Sequence, residues 1–201
     1  MDTFLLAFLL GLGLFTLKWR QERRRIVLLA THLRPYPIER LMEQITLGYQ
    51  RALDEDDAER RAQLWSSLEG AEKQLAQQFS RFSADMARLP AQDVRICRWA
   101  LPGVETWWPQ STFDLRAALD IHARGLQAAV DNADALSPKA RAYRLMAEML
   151  LMQHTCHWFC KSKTVASARL LARHRTTYEQ VLDAVSEATR SAYGRWVSGQ
   201  G

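Results

Sequence analysis

Hydrophobic positions recur along most of this chain with a helical period. Residues 3–17 are the exception: T-F-L-L-A-F-L-L-G-L-G-L-F-T-L is apolar on every side and carries no charge. Fifteen helical residues span only about 22 Å, against a bilayer core of about 30 Å. Met1 can extend the span, Trp19 suits the interfacial belt, and Lys18 and Arg20 can snorkel outward. Slight local thinning of a bilayer would then suffice. The helix is expected to run on to about His32, where Pro35-Tyr-Pro37 stops it, because the residue before a proline avoids the α region.

Beyond that break the pattern predicts amphipathic helices. One runs from about Ile38 to Leu53 with Leu41, Ile45 and Tyr49 on one face. The stretch from Asp54 to Gln63 lacks large apolar residues and reads as a turn or an exposed helical segment, with Asp54 or Asp56 as N-cap. Leu64, Leu68, Ala71, Leu75, Phe79, Phe82, Met86 and Leu89 then recur at a mean spacing of about 3.6 residues, one helical stripe. A bundle is favoured over a coiled coil, since the stripe is short and includes bulky Phe. Residues 90–110 hold Pro90, Pro102, Gly103 and Pro109 and read as a long irregular loop, which also carries Trp99, Trp107 and Trp108. A further helix is expected from Ser111, where S-T-F-D resembles a capping box, to about Asn132. Its apolar face holds Leu115, Ala118, Leu119, His122, Leu126, Ala129 and Val130. Ser137-Pro138 opens the last helical region as N-cap and N1. No Gly or Pro follows between Lys139 and Tyr193, and the one break expected lies near residues 161–164. No strand pattern and no helical-repeat period is evident. The expectation is an all-α protein: an anchor over 1–19, a basic juxtamembrane helix and Pro break over 20–37, an antiparallel bundle of four or five helices over 38–193, and a flexible tail over 194–201.

Composition changes this picture in one respect. The chain has 201 residues, 27 Lys or Arg, 22 Asp or Glu and a net charge of +5. Such an excess invites a nucleic-acid reading. Five of the basic residues (Lys18, Arg20, Arg23, Arg24 and Arg25) fall beside the apolar run with Glu22 among them, so they carry +4 of the +5. The remainder is nearly neutral, which argues against nucleic acid. By the positive-inside rule the cluster marks the cytoplasmic side, leaving the N-terminus outside; a bacterial inner membrane is the membrane expected. An uncleaved anchor is favoured over a signal peptide or a buried core helix. The n-region holds only Asp2, no small-x-small site follows the apolar run, and the basic residues lie on its far side. Cys97, Cys156 and Cys160 are expected to be free thiols in a reducing compartment.

Three places could carry chemistry. Cys156, His157 and Cys160 fall within about a 100° arc of one helix, with His154 about 60° further round. Thiolates and imidazoles are the usual zinc ligands, and His122 on the preceding helix could be a fourth. This is the alternative function: a zinc-, haem- or redox-binding helical protein, against the simpler reading of Cys156 and Cys160 as small core residues. The second place is the loop with Trp99, Trp107 and Trp108. It reads as a cap whose indoles pack down on the bundle core, as a partner-binding surface, or as a membrane-interface contact, since a third helix folding back would return it towards the headgroups. The third is the stretch containing Lys161, Lys163, Arg169, Arg173, His174 and Arg175, with no acid through Thr177. It reads as a solvated helix face or as a surface for anionic lipid or an acidic partner. No phosphate loop, nucleophile elbow or H-E-x-x-H element is present. The leading expectation is a membrane-anchored helical scaffold or assembly subunit, rather than an enzyme, that binds partner proteins or its own copies at the cytoplasmic face. No cofactor is required by it.

Overall fold

The computed structural model describes residues 2–97 and 112–199. The protein is all-α, with eight helices among the described residues: α1 (Asp2–Leu33), α2 (Ile38–Asp54), α3 (Ala58–Met86), α4 (Leu115–Val130), α5 (Pro138–Cys160), α6 (Lys163–His174), α7 (Tyr178–Ala184) and α8 (Glu187–Ser198). α1 is the one candidate membrane span among them. It contains an 18-residue window of mean hydropathy 1.4, none of it buried in the protein.

The two halves of α1 have different surroundings. From Phe4 to Leu17 every leucine and phenylalanine is exposed. From Glu22 onward the helix lies against α5. The Lys161 ammonium sits 2.5 Å from Glu22 Oε2, the Arg25 guanidinium lies 5.7 Å from the centre of the Phe159 ring, and Leu29 is buried. These pairs run in opposite sequence order, so α1 and α5 are antiparallel. The exposed apolar segment therefore emerges beside the C-terminal end of α5.

α5 is the axis of the fold. It packs against α1, α2, α4, α6 and α7. Its buried residues include the neighbours Ala147, Glu148 and Met149, then Leu151 and Met152, then His154 and Thr155, then Trp158 and Phe159. A helix enclosed on several sides shows no single apolar stripe. α2 and α3 form an antiparallel pair, and the stripe on α3 is buried from Leu68 to Met86, which sets it inside a bundle. α4 runs antiparallel to α5, with all seven residues of its expected apolar face buried.

Three features depart from the sequence expectation. The helix expected from Ser111 begins at Leu115, with Asp114 as N-cap accepting from the Arg116 amide. Thr112–Asp114 is instead strand β2, paired antiparallel with β1 (Arg95–Cys97). Three-residue strands are too short to show alternation, and this pair depends on partners far apart in sequence. The final region is four helices, because α6 and α7 are ended without Gly or Pro. Arg175 takes a left-handed conformation at φ 51°, and Val185 is extended. Ser162, Thr177 and Ser186 then cap the helices that follow, each accepting a backbone N–H. So seven helices follow α1 among the described residues, where a bundle of four or five was expected. The expected tail from 194 is part of α8, anchored by the buried Trp196, whose Nε1 donates to Asp114 O at 2.9 Å.

Buried polar groups join the elements. Glu72 on α3 is 1% exposed; it accepts from the Tyr49 hydroxyl of α2 at 2.6 Å and pairs with Arg141 of α5 at 3.0 Å. Glu148 on α5 reaches the start of α8, where its Oε1 accepts from the Ser186 amide at 3.0 Å. Gly125 makes room for that carboxylate: a Cβ there would collide with Glu148 Oε2 and Thr189 Oγ1. Two outcomes are expected in urea unfolding. Arg141→Met should cost about 3 kcal/mol by stranding the Glu72 charge, with much of the loss recovered in the Glu72→Gln/Arg141→Met double variant. Gly125→Ala should cost roughly 2 kcal/mol by overpacking.

Candidate functional site

The residues singled out for metal or redox chemistry lie on α4 and α5, where His122 and His154 each have a hydrogen-bond partner of their own. His122 is fully buried, and its Nε2 is 2.8 Å from Thr155 Oγ1. Thr155 Oγ1 also lies 3.1 Å from Leu151 O and 3.0 Å from the Tyr193 hydroxyl. A hydroxyl has one proton and two lone pairs. One assignment satisfies all three contacts: Thr155 donates to Leu151 O and accepts from Tyr193 and from His122 Nε2–H. His122 is then a neutral imidazole with Nδ1 bare, in keeping with burial and the nearby His154, which push its pKa down to about 3. His154 turns towards α6 and α7. Its Nε2 is 3.0 Å from Ser167 Oγ of α6, and its ring lies 4.6 Å from that of Tyr178. Burial first, and then the Lys163 charge, lower its pKa to about 4.

Cys156 and Cys160 are half-buried against the core. Desolvation, with Cys160 adding, pushes the Cys156 thiol up to about 12; desolvation also raises Cys160, to about 11, against the pull of Arg25, Lys161 and Arg169. Both are therefore protonated, unreactive thiols at neutral pH. His157 faces Arg169, Arg173 and His174 of α6; burial and then these charges lower its pKa. Among the described residues no three His, Cys, Asp or Glu side chains are grouped so as to hold a metal ion. The arrangement gives His122 and His154 hydrogen-bond partners in different places, with Cys156 and Cys160 packed against the core.

Around the buried pair the structure collects aromatic rings that the sequence scatters widely. Phe113, Trp158, Tyr193 and Trp196 pack with centroid separations of 5.1–5.8 Å. The Lys163 ammonium lies 4.4 Å from the Tyr178 ring centre and 5.6 Å from that of Trp158. This cluster lies at the end of the bundle from which the apolar part of α1 emerges, since Trp158 is three residues from Lys161. Strands β1 and β2 sit there too. Trp99, Trp107 and Trp108 lie outside the described residues. Of the expected membrane-orienting residues, Arg23 lies over the Trp19 ring at 5.3 Å and Arg25 over Phe159, while Arg20 and Arg24 are exposed.

Two clefts border α6. A groove of about 490 Å³ runs between α2, α5 and the α6–α7 turn, with Leu53, Tyr143, Met146 and Leu150 on one side and Arg173, His174 and Arg175 on the other. Leu53 and Tyr143 are exposed in it. A smaller cleft lies between α5 and α6. Sequence reasoning found the basic residues but not the clefts, which depend on how α2 and α6 are set against α5.

No protein-family model matches the chain, and no curated protein or solved structure matches it.

The buried histidines make stability depend on pH. Both have folded pKa values below the ordinary 6.5, so the unfolded chain takes up protons that the folded chain refuses. Their contribution is complete above pH 6.5 and is lost as pH falls through 6.5 towards 4 and 3. Glu148 works the other way, since burial raises its pKa and acid relieves the buried charge. Denaturant unfolding at stepped pH should show stability falling between 6.5 and 4. In His122→Gln the slope over that range should be shallower by about one proton.

Proposed function

We propose that this protein is a single-pass membrane protein whose cytoplasmic helical bundle serves as a scaffold or assembly subunit. The observation that carries the reading is the continuity of α1. One helix holds a fully exposed apolar segment and then, without a break, a stretch docked on the bundle through Glu22–Lys161, Arg25–Phe159 and Leu29. An isolated segment so apolar would be a liability in water; in a bilayer it is a span. Docking of the same helix fixes the orientation of the bundle to the membrane, which a flexible linker would leave free. A held orientation suits a protein that presents a surface to partners.

The basic cluster supports placing the bundle on the cytoplasmic side. The groove between α2 and α5 supports partner binding. Its apolar side offers contact area, and Arg173 and Arg175 offer charge on the facing ridge, the mixture that protein interfaces use.

The anchor and the scaffold are tested separately. Membranes washed in alkaline carbonate should retain the chain, and its intact mass should be the full 23.1 kDa. A mass lacking the first 17–20 residues would identify a cleaved signal and end the anchor reading. For the scaffold, cross-linking in intact membranes followed by detergent extraction should give a discrete assembly. Tyr143→Glu, an exposed substitution in the groove, should weaken it at least about tenfold. Recovery of the wild-type chain alone and monomeric would overturn the scaffold reading.

A further inference from the structure

The cleft between α5 and α6 has a volume of about 230 Å³. Its polar lining is Gln153, His154 and His157 from α5 and Arg169, Arg173 and His174 from α6, over a floor that includes Ala166 and Leu170. No carboxylate belongs to it, and none occurs in the chain between Lys161 and Thr177. Glu179 of α7 acts on its His154. Elsewhere basic side chains find carboxylates: Arg116 with Asp114, Arg124 with Asp120, Arg141 with Glu72 and Lys161 with Glu22. Arg169 and Arg173 make no ion pair among the described residues. They stand one turn apart on α6 and line one cleft. His154, 1% exposed, turns Nε2 to Ser167 and has an Nδ1 with no hydrogen-bond partner.

We propose that this cleft is a binding site for a phosphate-bearing anion. Two guanidinium forks one turn apart can each present paired N–H donors to a tetrahedral oxyanion, the geometry that favours Arg over Lys for phosphate. The imidazoles of His157 and His174 and the Gln153 amide add donors from both walls. A single carboxylate would leave half of the charge on Arg169 and Arg173 uncompensated, so the match is to a compact dianion. The apolar floor lowers the local dielectric and strengthens the attraction. The phosphate could belong to a soluble metabolite or to a lipid headgroup, because the apolar segment of α1 leaves the bundle at the same end of α5.

The test uses the full chain in phosphatidylcholine nanodiscs. Inorganic phosphate is titrated calorimetrically at constant ionic strength against chloride. Saturable binding is expected, weakened at least about tenfold by Arg169→Gln or Arg173→Gln, and unchanged in Lys139→Gln at the opposite end of α5. Both arginines are exposed, so the variants should keep the parent melting curve and their loss of binding reads the site itself. That result assigns the site to a soluble phosphate. If phosphate alone does not bind, nanodiscs containing phosphatidic acid should raise the melting midpoint, and Arg173→Gln should abolish the rise. That result assigns the same site to a headgroup phosphate. No effect in either arm, an effect reproduced by chloride, or one that survives both arginine substitutions would overturn the proposal.

Discussion

Polar groups buried on a helix enclosed by its neighbours favour partners on those neighbours, and the pairs that α5 makes organise the whole protein. Leaving a buried polar group unpaired costs about 1–3 kcal/mol, and a buried charge costs more. α5 and its C-terminal cap carry Arg141, Glu148, Thr155 and Lys161, and four other helices answer them. Arg141 meets Glu72 of α3, Glu148 meets the start of α8, Thr155 meets His122 of α4 and Tyr193 of α8, and Lys161 meets Glu22 of α1. The apolar contacts around α5 are non-directional and would tolerate sliding. The polar pairs set the register of each neighbour along the axis.

That register ties the N-terminal helix to the rest. Glu22 lies only five residues beyond Leu17, roughly 8 Å along the helix. The bundle is thus held close to wherever the apolar segment ends, with β1, β2, Trp158 and Lys163 at the near end and the α2–α3 turn at the far end. The exposed acids of that turn, Asp54, Asp56 and Asp57, are remote from the apolar segment, while Lys18, Arg20, Arg23 and Arg24 adjoin it. An anionic bilayer surface would favour this separation of charge. It arises from α1 lying along α5, which places both clefts beside α6 at a defined height.

The extent to which the sequence revealed this follows from periodicity. α2, α3 and α4 each bury one face, so their stripes could be read directly, and the burial of all seven residues from Leu115 to Val130 matches that reading. α5 buries too much of its circumference to show a stripe, so its central place could not be read. The ends of α6 and α7 were missed because neither Gly nor Pro marks them. Arg175 adopts the left-handed conformation that usually selects Gly, and Val185 simply extends. The Cys-His segment reads as a candidate ligand set because four such residues crowd seven positions, and the sequence does not say which neighbours they meet. Helical geometry sends His154 towards α6 and leaves Cys156 and Cys160 against the core, while His122 is taken up by Thr155. A linear spacing does not say which neighbour each face will meet.

The basic stretch on α6 is where local stability and the observed sequence disagree. Like charges four residues apart on a helix, as at Arg169 and Arg173, disfavour it by a few tenths of a kcal/mol. Lys163, placed in the first turn of the same helix, opposes the macrodipole; His174 in the last turn complements it. An acid in place of either arginine would relieve the repulsion and, at 169, would also offer His157 a partner. Holding Arg175 left-handed adds a further strain of about 1 kcal/mol that Gly would remove. Each of these choices weakens the isolated helix slightly, and together they concentrate cationic donors on the ridge between the two clefts. Packing does not account for that concentration, because Arg169, Arg173 and Arg175 are all exposed. An anion bound against the ridge would turn the repulsion into attraction, so the arrangement is consistent with binding and runs against folding stability alone.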